Sequence, residues 1–320
     1  MYKTVYNWSS VGYPGFSTFL ENLYQKSYYI DSESSINRFL NHIENYFYEL
    51  IRMGFVNINN FHFILNRLET IKKVDLLPKE LHRYYALVKD NIVYLNPSIK
   101  GEHGLSSSSF SFMVDSHELG HIINHGWETD ALYFCDSMKR VKDVKEILRD
   151  LGLTTNHLFY GFQLIDEVAT QEVAERVTYQ AICKNRPKIE KRTDKRIFNF
   201  KPYMTNYSIY GEFQTIVEEF ARQLDFLNCK NDDSLEVLKK LSIESFSPKF
   251  IKKIEDELYN NPDKIYPFIV MLGIMGKIKE VTYQLIENNK EKEELDVTSY
   301  VSIFNKIVKD GDYLFTYQKK

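Results

Sequence analysis

Apolar residues recur at helical spacing along the first part of the chain. Between Ser35 and Met53, residues Ile36, Phe39, Leu40, Ile43, Tyr46, Phe47, Leu50 and Ile51 fall three and four apart, which predicts an amphipathic helix with one packed face. Asn59 to Lys73 repeats the pattern through Phe61, Ile64, Leu65, Leu68 and Ile71. The period then shortens. The run RYYALVKDNIVYLNP (83–97) holds two short β-prone segments around Lys89-Asp90-Asn91. It predicts a hairpin whose second strand is Ile92 to Leu95 and whose pairing ends at Pro97. A Gly- and Ser-rich loop follows. One of Ser106 to Ser109 is placed to cap the next helix, expected from about Ser108 to His125. Further helices are expected near 136–150 and 158–183, with Gly152 as the stop between them, and near 208–228. From Lys230 onward the pattern is again amphipathic helix, with a break at Asn261-Pro262.

These elements predict an α+β, predominantly α-helical fold. Its expected parts are an N-terminal helical region (1–80), a core with a small sheet (81–228) and a C-terminal helical region (229–320). With 43% apolar residues among 320, the chain can bury a substantial core. The 41 basic and 44 acidic side chains leave a net charge of -3, so no whole-molecule field favours nucleic acid. Cys135, Cys183 and Cys229 are odd in number and form no CxxC pair, which excludes a zinc knuckle and argues against a disulfide framework. The longest apolar stretch, Pro267 to Ile278, is too short to span a bilayer and reads as a buried helix. The opening MYKTVYNWSSVGYPG lacks the apolar run of a secretory signal. A soluble, reduced, cytoplasmic protein with no membrane and no nucleic-acid partner is therefore expected.

The chemistry-bearing pattern is His117-Glu118-Leu119-Gly120-His121. Two residues four apart lie about one turn from each other on one helix face, so both imidazoles can reach a single ion. Glu118 is rotated by ~100° on the same helix, where it can reach a water at the ion without binding the ion. Leu119 and Gly120 are uncharged and set no salt bridge against Glu118. Asp115, just upstream, fits less well, because many such helices are uncharged there. His125 extends the face by a further turn, ~6 Å along the axis, too far to join the same ion.

HELGH after a strand resembles the zincin metallopeptidases. The resemblance implies one catalytic Zn2+, a peptide or protein substrate, and a sheet edge to which the substrate adds as an extra strand, with Asn91 to Leu95 as the candidate edge. The metzincin pattern would need Gly at 124 and His at 127, where this chain has Asn124 and Trp127. The segment Ile165-Asp166-Glu167-Val168-Ala169-Thr170-Gln171 resembles the gluzincin helix that supplies a Glu as third ligand. Glu167 takes that role by resemblance, with Glu172 and Glu175 as competitors on the same helix. Gln171 stands where gluzincins often carry Asp, which makes a weaker partner for a ligand imidazole. Oxyanion stabilisation would fall to a tyrosine of KPYMTNYSIYGEF, with Tyr210 first, Tyr207 second and Tyr203 also available. The basic run 184–196 is either a solvated loop or a recognition loop for acidic substrate. Three functions follow: a zinc-dependent peptidase with Glu118 as general base, the same enzyme restricted to one regulatory protein, or a catalytically inactive zincin-like binding or regulatory module.

Overall fold

The structure, a computed structural model, describes residues 2–27, 33–82, 85–101, 105–124, 127–140, 142–185 and 210–287, with Ser302, Phe304 and Asn305. It is mostly helical with one small sheet, the α+β class expected from the sequence. Two compact units are formed: Met1–Gly126 with Thr170–Tyr203, and Trp127–Ala169 with Met204–Lys320.

The first unit begins with α1 (Pro14–Ser27), α2 (Glu33–Arg52) and α3 (Ile58–Leu68). The apolar stripe of α2 is buried, and Phe47 stacks on Phe16 with ring centroids 4.2 Å apart. Glu44, on the same helix, is fully buried yet saturated with donors. It accepts from the Tyr2 hydroxyl (2.7 Å), the Trp8 indole (2.8 Å) and the amides of Val5 (2.9 Å) and Tyr6 (3.1 Å). A buried carboxylate is tolerated on such terms, and the network fastens residues 2–8 onto α2.

The hairpin forms as β2 (Ala86–Lys89) and β3 (Ile92–Leu95), with Lys89 opposite Ile92. Asp90 and Asn91 both adopt positive φ (54° and 62°), the conformation a two-residue primed turn demands and Asp and Asn tolerate. A third strand, β1 (Lys73–Leu76), pairs parallel to β3, giving the order β1-β3-β2. Two expectations are corrected here. Lys73 does not continue a helix, because α3 stops at Leu68, where Thr70 Oγ1 donates to the Arg67 carbonyl. Nor is Asn91 to Leu95 a sheet edge, since β3 is paired on both sides. The outer strands are β1 and β2. On β1, the outward amide of Val74 already donates to Ser27 Oγ at 2.8 Å.

Helix α4 (Ser107–Asn124) follows. The Ser109 amide donates to Ser106 Oγ at 3.3 Å, so Ser106 caps it. Its apolar face, Phe110, Met113 and Val114, packs with Ala86 of β2 and with Ala174. On another face, buried Asp115 pairs with His42 Nδ1 of α2 at 2.5 Å. The charge that seemed out of place upstream of the motif is thus the tie between α4 and α2.

Among the described residues, the regular elements of the second unit are all helical. It contains α5 (Glu128–Met138), α6 (Lys142–Asp150), the first half of α7 (Thr155–Asn185), α8 (Tyr210–Arg222), α9 (Ser234–Ser245), α10 (Phe250–Asn260) and α11 (Ile265–Glu287). Gly152 (φ 68°) separates α6 from α7 as expected, and the break at Asn261-Pro262 separates α10 from α11. The segment expected as one helix over 136–150 is two helices, with a turn at Lys139-Arg140. One apolar core joins these elements through Phe134, Phe162, Phe220, Phe250 and the run Phe268 to Ile278. Trp127 belongs to this core, its indole donating to the Ser245 carbonyl at 3.0 Å. Burial pushes the Cys135 thiol up to about 12, which makes it unreactive at neutral pH. No helix among the described residues is long and apolar enough to cross a membrane.

Glycine sets how closely α7 and α11 approach. A Cβ on Gly276 would overlap the His157 carbonyl oxygen, and one on Gly161 would overlap the Leu272 carbonyl oxygen. Backbone atoms cannot swing aside, so the helices themselves would have to part. Gly276→Ala is expected to cost about 3 kcal/mol of stability, measured by urea unfolding against wild type. A loss within a few tenths of a kcal/mol would show that this crossing is not tightly packed.

Candidate metal centre

The site is built on α4 and α7. Among the described residues, His117, His121 and Glu167 form a group whose ligand atoms all lie within 4.8 Å of one another. The two histidines come from successive turns of α4. Their Nε2 atoms face each other at 2.9 Å and their rings stand at 89°. Helix periodicity brings the rings to one face, and their edges converge on one point beside the helix.

Glu167 reaches them by helix geometry. It lies on α7 less than one turn before Thr170, and α7 runs unbroken through both residues. Thr170 packs on Gly120 of the motif itself: a Cβ at Gly120 would stand 2.8 Å from Thr170 Cγ2. The glycine between the histidines therefore lets α7 lie close against α4 at Thr170.

The donor set fits a divalent ion. Two neutral imidazoles and one carboxylate are the ligands of a His2Glu zinc site with a fourth position left open. An ion ~2.0–2.1 Å from two nitrogens in tetrahedral geometry would set them ~3.3 Å apart, so the rings need to open by only a few tenths of an ångström. All three residues lie between buried and half-buried, Glu167 at 9% exposure, so an ion there would be shielded without being sealed from water.

The competing carboxylates are engaged elsewhere. Glu172 accepts from Arg176 at 2.5 Å, and Glu175 accepts from Gln171 Nε2 at 2.9 Å. Glu118 is half-buried on the same turn as His117 and is not part of the ligand group. Tyr203, Tyr207, His125 and the basic run from 186 onward lie outside the described residues, as does the side chain of Tyr210, whose backbone opens α8.

Three features of the site's surroundings are absent from the sequence reading. Asp115–His42 anchors α4 from behind, Thr170 sets the α4–α7 spacing, and Lys279 of α11 donates to Glu167 Oε1 at 2.8 Å. The only signal for the last was a lysine at the end of a long apolar run. No protein-family model, no curated protein and no solved structure matches the chain.

Proposed function

We propose that the chain is a zinc-dependent metallopeptidase that hydrolyses a peptide or protein substrate, with His117, His121 and Glu167 as the metal ligands. The observation that carries this reading is the convergence of those three donors beside an HExxH turn. When bound, a divalent ion supplies Lewis acidity toward water and a scissile carbonyl. Glu118 receives a proton on its carboxylate from the attacking water and returns it to the leaving amine. Its half-exposed position, one residue from a ligand and rotated ~100° from it, suits that exchange. An extended substrate would add to β2, because β3 is central and β1 turns an amide to Ser27. β2 also packs on α4, the helix that carries the motif. Tyr210 and Tyr207 remain the proposed oxyanion donors, and the cytoplasm the proposed site of action, supported by cysteines without paired spacing.

Purified protein assayed for metal content and for cleavage of a peptide library tests the proposal. The expected result is one equivalent of zinc and cleavage that stops on chelation and returns with added zinc. Zinc without cleavage of any peptide would favour a binding module. Absence of bound zinc at neutral pH would end both readings.

A further inference from the structure

Packing residues and proposed ligands share the same rows where α4 meets α7. Glu167, Thr170 and Ala174 stand at i, i+3 and i+7 on α7, which places them in one row along the helix. Ala174 packs with Phe110, Met113 and Val114 of α4, and Thr170 meets Gly120. On α4, Met113, His117 and Gly120 form the matching row at i, i+4 and i+7. The contact at Gly120 has no slack. A Cβ there would stand 2.8 Å from Thr170 Cγ2 and 3.0 Å from Thr170 Cβ, where ordinary contact begins at 3.4 Å. Rotating the fully buried Thr170 side chain would carry Cγ2 away but leave Cβ, which is fixed to the backbone of α7. One added carbon therefore requires the two helices to part by a few tenths of an ångström beside the histidines.

Resting on the peptidase reading, we propose that Gly120 and Thr170 are a positioning pair, whose contact sets the separation between the helix of the two histidines and the helix of Glu167. Side chains that share one ion must be held to within about 0.5 Å. A parting of that order moves His117 and His121 away from Glu167 together. Bulk at position 120 is then felt as lost metal affinity in the folded protein, separately from any loss of stability. Supporting residues around metal ligands typically change affinity by ~10–100-fold.

Zinc affinity of the full chain, read by competition with a chromophoric chelator, is compared in wild type, Gly120→Ala and a paired variant that combines Gly120→Ala with Thr170→Gly. Urea unfolding of the same samples gives stability separately, and His117→Ala identifies the zinc being counted. The paired variant moves one carbon across the contact. With Thr170 Cβ and Cγ2 gone, the nearest atom to the new Cβ is the Cα of residue 170 at 3.5 Å. The expected result is a ~10–100-fold loss of zinc affinity in Gly120→Ala and a return to within a few-fold of wild type in the paired variant. Wild-type affinity in Gly120→Ala, or equal weakness in both variants, overturns the inference and leaves the peptidase reading standing. A wild type that binds no zinc, or binds it no better than His117→Ala, overturns both. If Gly120→Ala does not fold, the paired variant decides. Fold and affinity regained together support the positioning pair; fold regained without affinity, or no fold at all, overturns it.

Discussion

Glu118→Gln is expected to lower peptide turnover by ~10²–10⁴-fold while the protein still takes up one equivalent of zinc. The amide keeps the size and shape of the carboxylate, and Glu118 is not in the group formed by His117, His121 and Glu167, so the ligands are undisturbed. What the amide lacks is basicity. It cannot receive a proton from water and cannot return one to the departing amine, so both proton transfers lose their carrier. Fold and metal content therefore serve as internal controls. Peptide cleavage followed by mass spectrometry, with zinc measured on the same sample, reads the two effects separately. Turnover within a few-fold of wild type would remove Glu118 from the chemistry.

His117→Ala is expected to act one step earlier. It removes one of three protein ligands, so zinc affinity should fall by more than the ~10–100-fold that outer partners command. The Nε2 of His121 loses the group it faces at 2.9 Å, and the remaining pair, His121 and Glu167, has too few donors to retain zinc through gel filtration. The half-buried position of His117 makes truncation tolerable to the fold. Competition with a chromophoric chelator gives the affinity, and circular dichroism shows whether the helices persist. Unchanged zinc binding would place the metal elsewhere.

The parts of this molecule that sequence reveals are those written locally. The α2 and α3 stripes, the Asp90-Asn91 turn, the serine cap at 106 and the glycine stop at 152 are each decided by residues within a few positions of one another. HELGH is of the same kind, because the two proposed ligands and the proposed base lie within five consecutive residues. Glu167, some fifty positions on, came from likeness to a helix pattern, and no local rule separates it from Glu172 or Glu175. Their separation depends on Arg176 and Gln171 as neighbours, and on where Thr170 meets Gly120. The position of β3 within the sheet was misjudged for a related reason. A parallel partner arrives from outside the hairpin, and Lys73–Leu76 carries no alternation strong enough to stand apart from the helix pattern before it. Lys279 and Glu167, 112 positions apart, are joined only by helix packing.

The opening residues of the chain look like a tail and behave as a plug. Tyr2, Val5, Tyr6 and Trp8 direct four hydrogen-bond donors into the single carboxylate of Glu44, deep in the first unit. Trimming the first eight residues to tidy an expression clone would therefore leave a buried carboxyl without these donors, a penalty of roughly 1–3 kcal/mol or more. Shortened versions of this protein should therefore keep residues 2–8, although none of them belongs to the group formed by His117, His121 and Glu167.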